Sequence, residues 1–147
     1  MSATIKTILR FVALCLLLGA SPVRAADSAL AIIAHPANKL TSIRQGEVVR
    51  IYLGKAKTFP DGTPVRAVDQ RLASPSRHKF YAQVVQKTNS EVTAYWSKLM
   101  FTGMATPPNV LNDDAAVKAW VASNPDGLGY VDSKAVDGSV KVLLTVP

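Results

Sequence analysis

The chain has 147 residues, with 17 lysines and arginines against 10 acidic residues, one cysteine and two histidines. A lone cysteine excludes an internal disulfide, and so few nitrogen and sulfur ligands make a transition-metal site improbable. The basic residues do not form dense clusters interleaved with aromatic residues, so the composition does not indicate a nucleic-acid-binding protein. No cofactor is predicted.

The first 25 residues are predicted to be a secretory signal peptide. Lys6 and Arg10 precede a short apolar run, Phe11–Ala20, and Val23-Arg24-Ala25 fits a small-x-small cleavage site. The run is shorter than the ~20 residues of a membrane span, which argues against the alternative of an uncleaved anchor. Cleavage removes three bases and leaves a single exported domain, residues 26–147, with 14 bases and 10 acids.

The first half of this domain predicts two strands and one helix. Ala29–Pro36 is a continuous apolar run that ends in proline and predicts a buried strand. "TSIRQGEVVRIYLG" has apolar residues near helical spacing, and Gly54 is a plausible helix stop. After a turn at Pro60-Asp61-Gly62, the alternating segment Val65–Gln70 predicts a second strand.

The second half predicts three helices and two strands. Each helix starts after a cap residue, and these residues are Ser74, Ser90, and Asn112 or Asp113. Pro107-Pro108 is predicted to be a rigid crossing, and the last helix ends at Asn124-Pro125. Gly127–Asp132 and Val140–Val146 are the predicted strands. The resulting order, β-α-β-α-α-α-β-β, predicts one α/β layer structure with a small sheet.

The helix that begins at Ser74 and Pro75 has an unusual charge pattern. Its first turn carries three bases and a fourth lies just upstream, namely Arg77, His78, Lys79 and Arg71. The positive end of a helix dipole normally attracts acids. One interpretation is an ordinary serine cap with solvated bases. The other is an anion site, in which free N–H groups, the hydroxyls of Ser74 and Ser76, and a guanidinium bind a tetrahedral oxyanion.

Patterns typical of enzymes are weak. Ser74 and Ser76 lie near His78, but there is no Gly-x-Ser-x-Gly elbow, and Ser76 and His78 point to different sides of a helix. The "GLG" at Gly127–Gly129 lacks the third glycine of a dinucleotide fingerprint and is predicted to mark a close approach of backbone to core. Four aromatic residues are expected in core and interhelix packing: Tyr95, Trp96, Phe101 and Trp120.

Three segments keep the order and rough spacing of motifs in a known family: "VRIYLGKAKTFPDGTPVRAVDQ", "ASPSRHKFYAQVV" and "NPDGLGYVD". They resemble a helix that ends in "IFLGK" with its following loop and strand, a phosphate-binding helix start, and a "PGAIGYV" strand. The family is that of the phosphate-binding proteins of ABC transporters, which are type II periplasmic binding proteins. "AYWSKLMFTG" and "VDGSVKVLLTV" are similar to segments of its small, exported, single-lobe relatives.

The resemblance implies an α/β fold with a single periplasmic-binding-protein-like lobe, in which a small mixed sheet is flanked by helices. It implies oxyanion contacts at Arg71, Ser74, Ser76 and Arg77. Ser74 matches the family's phosphate-binding serine, and Ser76 matches a threonine. The sequence departs from the family at Pro75, which replaces a glycine, and at Gln70, which stands at the position of the binding arginine.

The implied function is that of a periplasmic solute-binding-like protein, not an enzyme, that binds phosphate or a related oxyanion in association with ABC-type phosphate uptake. Binding is expected to be weak, because one lobe leaves the anion exposed to water and to screening by salt. Self-association or an envelope membrane protein is the expected way to complete the site. The alternative is a module that binds no ligand and docks on an envelope transporter or sensor, with its basic helix start against an acidic surface.

Overall fold

The computed structural model describes residues 27–147, and the predicted signal peptide, residues 1–25, lies outside them. The strands are β1 (Leu30–Ala34), β2 (Arg66–Gln70), β3 (Asn109–Leu111), β4 (Gly127–Asp132) and β5 (Lys141–Val146). The helices are α1 (Gln45–Tyr52), α2 (Pro75–Lys79), α3 (Asn89–Phe101) and α4 (Asp114–Ser123). A π-helical segment, Phe80–Val85, continues α2. None of the helices in residues 27–147 is long and apolar enough to cross a membrane.

One mixed sheet in the order β3-β2-β4-β1-β5 forms the centre of the fold. β1 is antiparallel to both of its neighbours, whereas β2 is parallel to β3 and β4. The ends of these three parallel strands, Gln70, Leu111 and Asp132, therefore lie at one end of the sheet, called the carboxyl end below. The end at which they begin is called the amino end. This mixed sheet with flanking helices confirms the predicted fold class.

Both faces of the sheet are buried, as the continuous apolar sequence of β1 predicts. Side chains alternate along a strand, so Leu30, Ile32 and Ala34 pack with α1, the π-helical segment and α3. Ala31 and Ile33 point the other way and pack with α4. The helices thus form a layer on each face, and β1 and β4 each contribute side chains to both layers.

Gly129 in β4 has no room for a side chain. A Cβ atom there would lie 2.5 Å from Cγ1 of Val117 and 3.1 Å from Cγ2 of Val121, both on α4. Real Cβ atoms do not approach other heavy atoms this closely, so the glycine allows α4 to pack directly on the strand. The prediction that "GLG" marks a close approach of backbone to core is confirmed.

Three local predictions are wrong: the number of strands in the second half of the domain, the N-cap of α3 and the burial of Phe101. The segment after Pro107-Pro108 is a strand, β3, which pairs in parallel with β2. Its three residues are too few to give a periodic signal, since a strand is recognised by alternation over four or more residues. The helix α3 begins after Thr88 and not after Ser90, because Thr88 and Glu91 form a reciprocal capping box. The prediction that Phe101 packs in the core is also wrong, because its side chain is 93% exposed.

The π-helical segment has a specific side-chain partner. The last carbonyl groups of a helix have no partner within it and need a donor from elsewhere. The side-chain amide of Gln45 donates to the carbonyl oxygens of Gln83 (3.1 Å) and Val84 (3.0 Å). Gln86 then ends the segment in the left-handed conformation, with φ at 59°. The first residue of α1 therefore stabilises the wide turn that follows α2.

Replacement of Gln45 by alanine is expected to lower the free energy of unfolding by about 0.5–1.5 kcal/mol, because both carbonyl groups lose their donor. Urea unfolding followed by circular dichroism measures this change. Gln83→Ala is the matched control, since it removes an exposed amide from the same segment and should change stability by less than about 0.5 kcal/mol. Equal effects of the two substitutions would contradict a role for Gln45.

Candidate functional site

A cavity of about 290 Å³ lies at the carboxyl end of the sheet, between the starts of α2 and α4. Ten residues line it: Gln70, Arg71, Ser74, Pro75, Ser76, Asn112, Asp113, Asp114, Ala115 and Asp132. Ligands of open α/β folds bind outside the carboxyl ends of the strands, so this is the expected position for a ligand. Three of the four residues implied as oxyanion contacts line the cavity, and Arg77 does not.

The Ser74 hydroxyl already has two hydrogen bonds inside the protein. It accepts from the backbone N–H of Arg77 (3.3 Å), which makes it the N-cap of α2, and it donates to the side-chain oxygen of Gln70. Ser74 is buried, with 5% of its surface exposed. Its only hydrogen is therefore committed to Gln70, and a direct bond to an anion would require that bond to break.

The Arg77 side chain points into the core instead of solvent. Its Nη1 donates to the Asp69 carboxylate and to the carbonyl oxygen of Gln70, the latter at 3.1 Å. The guanidinium carbon lies 4.5 Å from the centre of the Tyr81 ring. Burial opposes the charge on Arg77, but the neighbouring Asp69 outweighs it and the pKa of Arg77 is raised. One base of the helix start is thus used in a buried ion pair.

The carboxylate of Asp69, near the end of β2, accepts hydrogen bonds from four donors. Besides Arg77, they are the hydroxyls of Tyr81 (2.7 Å) and Tyr130 and the backbone N–H of Gln70 (2.7 Å). Burial, and then the charge of Asp69, raise the pKa values of both tyrosines, so both stay protonated and act as donors. We call Asp69, Arg77, Tyr81 and Tyr130 the buried ionic cluster.

The hydroxyl and the backbone N–H of Ser76, unlike the Ser74 hydroxyl, have no hydrogen-bond partner among the described residues. Ser76 is 8% exposed. Pro75 has no N–H to offer, and the N–H groups of Arg77 and His78 both bond to Ser74. The start of α2 therefore presents one free N–H and one free hydroxyl, and both belong to Ser76.

Arg71 is the one implied guanidinium contact at the cavity. Its backbone N–H donates to the carbonyl oxygen of Leu111 (3.1 Å), which fixes the loop after β2 beside β3. Its side chain is exposed and forms no ion pair with any other described residue. Arg71 and Ser76 are thus the two implied contacts whose donors are not already used inside the protein.

Three carboxylates share the cavity wall. Asp113 caps α4 through the N–H of Ala116 (2.9 Å). Asp114 accepts from the Gln70 amide (2.8 Å) and from the backbone N–H of Asp132 (3.2 Å). A hydrogen bond from Ser28 lowers the pKa of Asp132 and keeps it charged. These negative charges oppose an anion. Within the described residues, however, no three histidine, cysteine, aspartate or glutamate side chains are grouped to hold a metal ion.

Sequence reasoning did not identify Asp114 and Asp132 as parts of this site, nor the role of Gln70. The Gln70 amide joins three elements, since Nε2 bonds to Asp114 and to the carbonyl oxygen of Tyr130 (2.9 Å) while Oε1 accepts from Ser74. The sequence feature that could have identified these residues is their position, because Gln70 and Asp132 are each the last residue of a buried strand. A polar residue at that position lies where several elements converge.

A second cavity, of about 610 Å³, adjoins the first and shares Pro75, Ser76 and Asp132 with it. His78 and Lys79 line its wall. Lys79 Nζ donates to the carbonyl oxygen of Ser28, and His78 is exposed. The bases of the helix start therefore have separate surroundings, and they do not converge on one point.

No protein-family model and no curated protein matches the sequence. Solved structures do resemble the fold. An ABC-type phosphate transport receptor from Vibrio cholerae aligns with a TM-score of 0.65 and 23% identity, over 79% of this chain and 45% of its own. A protein from Clostridium perfringens, described as a phosphate ABC transporter substrate-binding protein with bound phosphate, aligns with a TM-score of 0.63 and 20% identity, over 79% and 45%.

PstS from Borrelia burgdorferi aligns with a TM-score of 0.59 and 15% identity, over 79% of this chain and 46% of its own. The chain thus spans a little under half the length of these neighbours. The first two are phosphate transport proteins by description. The resemblance implied by the sequence motifs is confirmed at the level of the fold: the described residues have the fold of part of the phosphate ABC transporter substrate-binding proteins.

Proposed function

We propose that the protein is a periplasmic, single-lobe, solute-binding-like protein that takes phosphate or a related oxyanion at the carboxyl end of its sheet, in association with ABC-type phosphate uptake. The observation that carries this proposal is Ser76. Its hydroxyl and N–H are the donors of the α2 start that bond to no described residue, and Ser76 lines the same cavity as Arg71. A hydroxyl, an N–H and a guanidinium are suitable donors for a tetrahedral oxyanion.

Within this proposal the four implied residues have two different roles. Arg71 and Ser76 contact the anion. Ser74 and Arg77 hold the loop and the helix start in position, through Gln70 and Asp69 respectively. Affinity is expected to be in the millimolar range, because the cavity is open and carries the charges of Asp113, Asp114 and Asp132. A second copy or an envelope protein over the cavity would exclude water and strengthen the contacts.

Replacement of Arg71 by alanine is expected to weaken phosphate binding about tenfold, which corresponds to ~1.4 kcal/mol, through loss of a charged donor. Calorimetric titration with phosphate and with sulfate in low-salt buffer measures this. Stability should not change, since an exposed loop arginine contributes little to it. Lys39→Ala removes an exposed base elsewhere on the surface and serves as the control.

Ser74→Ala is compared with Arg71→Ala both in this titration and in urea unfolding, so that a loss of stability is distinguished from a loss of binding. It removes the N-cap of α2 and should lower the free energy of unfolding by about 1 kcal/mol whether or not an anion binds. Unaltered phosphate affinity in Arg71→Ala, or equal losses in Arg71→Ala and Lys39→Ala, would contradict the proposed site. The helix start would then be an ordinary cap with solvated bases.

The alternative function, a docking module whose basic helix start meets an acidic partner, has less support at that position. Arg77 is buried in an ion pair, and Lys79 bonds to the Ser28 carbonyl. Arg71 and His78 alone remain exposed there. A surface better suited to a partner lies at the other end of the sheet.

A further inference from the structure

A groove of about 860 Å³ runs along the amino end of the sheet, the opposite end from the oxyanion cavity. Its walls include Trp96 and Met100 of α3, the Pro107-Pro108 segment before β3, and Trp120 of α4. We call it the amino-end groove. Two lining residues are closely packed against each other, since a Cβ atom on Gly54 would lie 3.0 Å from the Trp96 ring. The groove is therefore a formed feature of the fold.

Four of the five large apolar side chains that the described residues expose belong to the lining of this groove or to residues next to the lining in the chain. Met100 is 51% exposed, Phe101 93%, Met104 74% and Val110 55%. The first three belong to the end of α3 and the turn after it, and Met100 itself lines the groove. Single exposed apolar residues are normal on a protein surface, but a contiguous group is typical of an interaction site. Methionine side chains adapt well to a partner surface.

The charged side chains that line the groove are all basic. Its lining includes Lys57 and Arg66 and no aspartate or glutamate. Arg66 is held in place by Asp126 at 2.7 Å and lies with its guanidinium 5.2 Å from the centre of the Trp120 ring. Lys57 is exposed and has no such partner in the described structure. A partner with carboxylates would complement this wall, and a basic partner would be repelled.

Unpaired backbone lies next to the apolar group. β3 is the outer strand of the sheet and pairs with β2 alone. In a parallel pair, alternate residues direct their backbone groups to the neighbour, and Leu111 does so by accepting from Arg71. The N–H and C=O of Val110 therefore face away from β2. An outer strand with free backbone groups is a template for one more strand.

We propose that the amino-end groove is a docking site for an acidic, apolar segment of another protein, bound in extended form along β3. Apolar side chains of the segment would contact Met100 and Phe101, and its carboxylates would face Lys57. The concave shape and the free strand favour a polypeptide over the flat surface of a lipid bilayer. This inference uses a different end of the sheet from the oxyanion proposal and does not depend on it.

The test uses fluorescein-labelled 12-residue peptides with glutamate alternating with leucine or phenylalanine, and matched peptides with lysine in place of glutamate. Fluorescence anisotropy measures their binding at 50 and 500 mM salt. The glutamate peptides are expected to bind at least tenfold more tightly than the lysine peptides, and their binding should weaken with salt. Equal binding of the two sets, or binding of neither, would overturn the proposal.

Substitutions test whether the glutamate peptides bind at the amino-end groove. Phe101→Ser and Lys57→Glu should each weaken the glutamate peptides by tenfold or more, while urea unfolding stays unchanged because both side chains are exposed. Leu72→Ser is the matched control, since Leu72 is 58% exposed at the carboxyl end. An equal loss in Leu72→Ser would overturn the proposal. So would sedimentation of a wild-type dimer that Phe101→Ser dissociates, or binding to anionic vesicles without binding to the peptides.

Discussion

Replacement of Asp69 by alanine is expected to lower the free energy of unfolding by about 3–5 kcal/mol, the cost of breaking a buried ion pair from one side. Arg77 would keep its charge in the core without a counterion, and the hydroxyls of Tyr81 and Tyr130 would lose their acceptor. Domains of this size are stable by only about 5–15 kcal/mol, so much of the margin would disappear. Urea unfolding followed by tryptophan fluorescence measures the loss.

A double substitution, Asp69→Leu with Arg77→Met, provides the control. It removes both charges and should be less destabilising than Asp69→Ala alone, because no buried charge is left without a partner. The two sites are in contact, so their effects should not add. If the double variant loses as much as the sum of the two single variants, the cost lies in packing and not in the unpaired charge.

Replacement of Phe80 by alanine is expected to cost about 3–5 kcal/mol, the range for a large buried aromatic residue. Phe80 is fully buried and stacks on Tyr130 with ring centres 4.1 Å apart. It also contacts Tyr52 at 4.6 Å and Tyr81 at 5.2 Å. It lies where α2 passes into the π-helical segment, so its loss would loosen the contact between that helix and the sheet.

Phe101→Ala is the matched control for Phe80→Ala. The same ring is removed from a side chain that is 93% exposed, and the free energy of unfolding should change by less than about 0.5 kcal/mol. Thermal and urea unfolding of the two variants give the comparison directly. A large effect of Phe101→Ala would contradict the exposed position of this ring.

Local signals in the sequence predicted most of the elements. β1 and β4 were recognisable because both faces of each strand are buried, which leaves a run of apolar and small residues with few polar interruptions. The start of α2 followed from Ser74 and Pro75, whose capping geometry depends only on residues within one turn. β4 begins and ends where the prediction placed it, at Gly127 and Asp132.

The surroundings of the candidate site could not be predicted in the same way. Arg77 is predicted to contact an oxyanion because the Ser74 cap places it in the first turn of α2, but its partner Asp69 lies near the end of the previous strand. Tyr130 comes from a strand 61 residues further on. Long-range contacts of this kind depend on the pairing of β2 with β4, which no local pattern specifies. The oxyanion contacts themselves remain predictions.

The position of β1 has a consequence for the order in which the chain can fold. β1 is an inner strand, yet both of its neighbours, β4 and β5, come from residues 127–146. As the chain emerges during synthesis, this apolar strand has no partner in the sheet until residues 127–146 are available. Pairings over such distances are slow to form, and unpaired apolar strands are prone to aggregate. Chains shortened before β4 should therefore require a chaperone to remain soluble.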